Sequence, residues 1–147
     1  MNALNDVLLE QPTRDNVITD CVALVETEIQ SKSGLSGVAI KTAFGVVHKV
    51  NPKFVHLAVS SLIDDFVKAM NPVYDSYKET GRNDLRSYWI QEKGALANSL
   101  LQVADRRMDR AQNKAIKKVY AKLRPTGLKH VEASVPAIAD VISKYVS

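Results

Sequence analysis

Apolar residues return every three or four positions along nearly the whole chain, and no stretch of four to eight residues alternates as a half-buried strand must. Val17, Ile18, Cys21, Val22, Val25 and Ile29 make one such stripe. Phe54, Val55, Ala58, Val59, Leu62, Ile63, Phe66, Val67 and Met70 make another. The period commits the chain to helices, and Pro and Gly set where they break. Gln11-Pro12 closes a first helix at about 3–10, and Thr13 caps a second that Ser33-Gly34 stops. A third runs over 36–50 to Asn51-Pro52, and a fourth over 53–70 to Asn71-Pro72. A short fifth ends at Thr80-Gly81, and Asn83 can cap the sixth. Gly94 and Asn113 are further possible breaks, Arg124-Pro125 is a firm boundary, and Pro136 kinks or restarts the last stretch.

Helices 36–50 and 53–70 are apolar around much of their circumference, which places them at the centre of the fold. The predicted class is therefore all-α: a compact orthogonal bundle of about seven to nine short helices. At 147 residues the chain fits one domain, 1–147, large enough to hold itself together without disulfide or metal. Phe44, Val47, Phe54, Leu62 and Phe66 are expected in its core, as is Cys21, the one cysteine. No window holds the roughly 18 apolar residues of a spanning helix. With no signal-like N-terminus and a lone thiol, a cytoplasmic location is expected.

The residues offer little chemistry. His48, His56 and His130 stand in no metal-ligand spacing, and the sequence implies no cofactor. Ser60-Ser61 lies inside a helix, away from any strand-to-helix elbow that would expose a nucleophile. Asp64 and Asp65 point about 100° apart and so do not converge. Gly34-Leu35-Ser36-Gly37 lacks the lysine and strand of a phosphate loop and reads as a turn between packed helices. Tyr74, Tyr77, Tyr88 and Trp89 gather around Gly81, as a cap over a turn or an interface anchor.

Charge is more informative in its distribution than in its total of +4. Between Asp105 and Lys129 nine basic residues face two acidic ones, +7, while the rest of the chain carries −3. On a continuous helix, Arg106, Arg110, Lys114, Lys117, Lys118 and Arg124 form a basic stripe beside an apolar one, and a break at Asn113 would put the two halves out of phase. Arg106, Arg107, Arg110, Lys114, Lys117, Lys118, Arg124 and Lys129 are the candidate polyanion-binding residues, for nucleic acid or an anionic membrane surface. A solvated face that keeps the domain soluble explains the same residues.

The stretches GLSGVAIKTAFGVVHKVNPKFV (Gly34–Val55), LLQVADRRMDR (Leu100–Arg110) and VYAKLRPTGLKHVEASVP (Val119–Pro136) resemble a family of small, all-helical bacterial proteins known as a domain of unknown function. The resemblance implies a bacterial source and carries no activity or site. The first functional reading is a non-enzymatic helical interaction or structural module, partnered by another protein or by itself. Polyanion binding through 106–129 is the second. An enzyme or binder of a small apolar ligand, its site assembled across helices, is the third, and a deep pocket would promote it.

Overall fold

A computed structural model describes residues 4–32 and 34–146. Among them are seven helices and no strand: α1 (Leu4–Leu8), α2 (Thr13–Ser31), α3 (Gly34–Val50), α4 (Phe54–Glu79), α5 (Leu85–Gln91), α6 (Lys93–Asp109) and α7 (Lys114–Val146). Ala3 and Ser33, assigned above to helix boundaries, lie outside the described residues. The all-α bundle is as expected, but two of its helices are long. α4 has 26 residues and α7 has 33, because three prolines do not end them.

Asn71-Pro72 was expected to end a helix, yet α4 runs through it. A proline inside a helix removes one backbone bond and costs about 3 kcal/mol. Burial on both sides offsets that cost: Ile63, Val67 and Met70 before Pro72, and Tyr74 after it, form one buried face. Asn71 caps another helix instead, its Oδ1 accepting the Leu4 N–H at 2.9 Å at the start of α1. The boundary predicted at Arg124-Pro125 fails likewise, since α7 continues through Pro125 and Pro136. Val135, Ala139 and Ile142 bury its later turns.

Other local signals hold. Gly81 adopts φ +71° just beyond α4, a conformation open to glycine at little cost. Asn113 breaks the basic segment: its Oδ1 accepts the Ile116 N–H at 3.1 Å and caps α7. The break after α5 falls at Glu92, so Gly94 sits inside the first turn of α6.

The buried core joins Leu4 and Leu8 of α1, Val17 and Ile18 of α2, the inner face of α4, Leu85 and Trp89 of α5, Leu96 and Leu100 of α6, and the later turns of α7. α3 was expected at the centre and instead lies at the margin, against α2 and α7. Val47 is buried there, but Val38, Val46 and Val50 are exposed. Of the other expected core residues, Phe44, Phe54, Leu62 and Phe66 are half-buried, as is Cys21. α2 and α7 run antiparallel. Lys144 near the end of α7 pairs with Asp20 at 3.0 Å, and Tyr145 donates to the same carboxylate.

Candidate functional site

α2 and α7 lie side by side without closing on each other. Residues 17, 21, 24, 25 and 28 share one face of α2, and residues 123, 127, 130, 131, 134, 138, 141 and 142 share one face of α7. These two stripes, with Ile63, Phe66 and Met70 of α4, Leu100, Leu101 and Ala104 of α6 and Ile40 of α3, line a cavity of about 410 Å³ that is open to solvent on one side. Its wall is almost wholly hydrocarbon. Part of the space exists because of glycine: a Cβ on Gly127 would lie 3.4 Å from Leu101 Cδ2. Gly37 acts at the turn from α2 to α3, where a Cβ would come within 2.7 Å of the Lys32 carbonyl carbon. Only glycine lets the start of α3 cross the end of α2 so closely.

Most polar groups on the cavity wall lie where α2 ends, and the apolar Gly127 and Leu123 continue the α7 wall past them. Glu28 and Lys32 continue the α2 stripe to its C-terminus, and His130 and Ser134 belong to the α7 stripe opposite. The Ser134 hydroxyl is already used, donating to the His130 carbonyl at 3.0 Å. The His130 Nε2 is buried and has no hydrogen-bond partner. Burial first, then the charges of Lys32 and Lys129, hold His130 below the ordinary histidine range, so it is neutral at pH 7. Toward the other end, burial and then the charge of Asp20 push the Cys21 thiol up to about 11. Such a thiol stays protonated at neutral pH and is a poor nucleophile.

The basic segment folds as a hairpin rather than as one helix. α6 ends at Asp109, α7 begins at Lys114, and Leu101 meets Gly127 across the pair. Arg106, Arg107, Arg110, Lys114, Lys117, Lys118 and Lys129 are exposed. Arg124 is partly exposed and paired, its Nε and Nη2 donating to the two Asp105 oxygens at 2.9 and 3.1 Å. Tyr120 donates to the same carboxylate. This pair borders a shallow cleft of about 550 Å³ that also holds Asp109 and Lys117. The Arg124 and Tyr120 hydrogen bonds hold Asp105 below the usual carboxylate range, so it stays ionised and paired with Arg124.

Other sequence candidates are structurally occupied. Ser61 Oγ donates to the Ala58 carbonyl at 3.2 Å, and Asp64 accepts from Arg14 at 2.5 Å. Tyr77 packs at a tilt between Tyr74 and Tyr88, with centroids at 6.1 and 5.8 Å, beside a Trp89 that is fully buried. Among the described residues, no three His, Cys, Asp or Glu side chains converge, and no helix is long and apolar enough to cross a membrane.

The cavity is what sequence reasoning missed. Each stripe was visible as a periodic apolar face, but such a face ordinarily packs shut against its neighbour. Neither a curated protein nor a solved structure gives a significant match. The model of a family described as "Family of unknown function (DUF6918)" matches residues 4–146, nearly the whole chain, and the chain belongs to that family.

Proposed function

We propose that the chain is a non-enzymatic helical module that binds a small apolar molecule in the cavity between α2 and α7. The observation that carries this reading is the cavity itself: about 410 Å³, almost wholly apolar, and bounded by five helices. Ligand pockets commonly span about 300–1,000 Å³ and have apolar walls with a few polar groups. Size also selects the kind of occupant. A helix about 10 Å across fills about 420 Å³ in each 5.4 Å turn. The cavity would hold one turn at most, so a partner helix would lie over its open side rather than within it. A water occupies about 30 Å³ in the liquid. With a methylene of similar size, the space matches a chain of roughly a dozen carbons.

Titration with the neutral fluorophore N-phenyl-1-naphthylamine tests the reading. Saturable enhancement at one site per chain is expected. Ala104→Phe, which projects a ring into the cavity, should abolish it while the protein still melts cooperatively. Absence of saturation in wild type, or unchanged binding in a folded variant, would refute the proposal.

A second reading rests on a separate observation: the turn between α6 and α7 brings Arg106, Arg107, Arg110, Lys114, Lys117 and Lys118, all exposed, to one end of the hairpin. This end would meet a polyanion, either nucleic acid or an anionic membrane. Binding to duplex DNA, RNA or anionic vesicles should then fall steeply with salt, since released counterions drive it. Changing Lys114, Lys117 and Lys118 together to Gln should weaken it. Failure of wild type to bind any of the three at physiological salt removes the reading. The chain has one cysteine and no internal disulfide, which is compatible with a reducing compartment, and we propose a cytoplasmic location.

A further inference from the structure

We infer that the cavity takes a long-chain monocarboxylic acid, its carboxylate held between His130 and Lys32 and its chain running along α2 and α7 toward Ile142. The inference rests on the apolar-ligand reading and adds the chemistry of the head group. Three observations carry it.

The first is the distribution of polarity. From His130 to Ile142 the α7 stripe rises about 18 Å at 1.5 Å per residue. That run ends on Ile138, Val141 and Ile142, while Lys32 ends the α2 stripe and the apolar Gly127 and Leu123 continue the α7 wall past His130. A polar cluster where α2 ends, followed by an apolar run of about 18 Å, suits an amphipathic chain better than a compact hydrocarbon.

The second is an orphaned polar atom. The buried Nε2 of His130 has no partner. An unpaired buried polar group is costly, and native structures normally satisfy it. Ser134 does not satisfy it: its hydroxyl donates to the His130 carbonyl and makes no bond to Nε2. A neutral imidazole with the proton on Nε2 donates one hydrogen bond, which a ligand oxygen can accept.

The third is the sign of the local charge. Lys32 borders the cavity, and among the described residues its ammonium has no hydrogen-bond or ion-pair partner. Lys129 adds a second positive charge felt at His130. Glu28 is the one carboxylate among the cavity-lining residues. A ligand oxygen at Nε2 therefore lies in a net positive field, which favours a carboxylate over an alcohol or ester.

The test is displacement of N-phenyl-1-naphthylamine by dodecanoate, methyl dodecanoate and dodecanol, which share one chain and differ in the head group. Dodecanoate should displace the probe at about tenfold lower concentration than either neutral analogue, as a charge-assisted hydrogen bond implies. His130→Phe keeps a ring of similar size and removes the donor, and Lys32→Gln removes the charge near the surface. Each should erase most of the dodecanoate advantage and leave dodecanol within about twofold. Helical circular dichroism confirms that each variant is folded. If Phe at position 130 prevents folding, Lys32→Gln decides alone. Equal displacement by all three, or a dodecanoate advantage that survives in the folded variants, overturns the head-group assignment while leaving the cavity as a binding site. If none of the three displaces a bound probe, the acyl-chain inference fails. If the probe itself does not bind, the apolar-ligand reading fails with it.

Discussion

Two leucines on one helix offer a controlled measurement of the cavity. Leu96 and Leu101 both lie on α6 and are 0% and 7% exposed. Leu96 sits in the packed core, whereas Leu101 lines the cavity. Leu→Ala changes in a packed interior cost about 2.7–5.0 kcal/mol, and the spread follows how much packing is lost. A side chain with cavity on one side makes fewer dispersion contacts and so loses fewer on truncation. Leu96→Ala should therefore cost about 4 kcal/mol and Leu101→Ala about 2.5 kcal/mol. Against a typical total of about 5–15 kcal/mol, both variants still fold. At roughly 3 °C per kcal/mol for a chain of this size, the melting temperatures should differ by about 5 °C. Urea unfolding at constant m-value gives the same difference independently. Equal costs, or a larger cost at Leu101, would refute the assignment of Leu101 to a cavity wall. The same curves test whether the chain is one folding unit, as we propose. Helical circular dichroism and fluorescence of Trp89, the single tryptophan, should report one coincident transition, and two separated transitions would contradict it.

Gly37→Ala should destabilise by about 1–3 kcal/mol, because its Cβ would meet Lys32 backbone that cannot rotate away; a neutral outcome in thermal melts would show that α3 does not cross α2 so closely. The depressed His130 makes stability pH-dependent. Its folded value lies below the unfolded one, so its contribution is complete above the unfolded value of about 6.5 and is lost as pH falls through the folded value. In urea melts from pH 7.5 to 5, His130→Phe should flatten part of the decline, and an unchanged slope would contradict the assignment. Cys21 should react slowly with a thiol reagent at pH 8, faster in denaturant, and more slowly still with dodecanoate bound, because the thiol borders the cavity. Protection absent at saturating ligand would place the ligand elsewhere.

The helical class was legible because periodicity is local, and so were the breaks at Gly81 and Asn113, where one residue's geometry decides. The prolines were not. Pro72, Pro125 and Pro136 each weaken a helix locally, and the distant partners that outweigh them appear only when the helices pack. Asn71 illustrates the point: it reads as a cap for its own segment, yet it caps α1 from 67 positions away. The marginal place of α3 was hidden for the opposite reason, since its apolar exposed face looks like a core face on a helical wheel. The basic segment was visible as composition, but its turn at 110–113 and the pairing of Arg124 with Asp105 are properties of the hairpin. The cavity lay furthest from view. Its walls are ordinary apolar stripes, and what separates a packed seam from a binding site is how the helices stand apart, which in sequence only Gly127 hints at.

Methyl-resolved NMR of the isotopically labelled protein with dodecanol tests the central claim most directly, because it asks where an apolar chain goes without relying on a charged head. The account predicts that the methyl signals of Val17, Leu24, Ile63, Leu101 and Val141 shift together and saturably, with intermolecular contacts to the chain, while the exposed Val38 and Val50 stay in place. Shifts confined to the exposed α3 methyls, or none at any cavity-lining position, would contradict it.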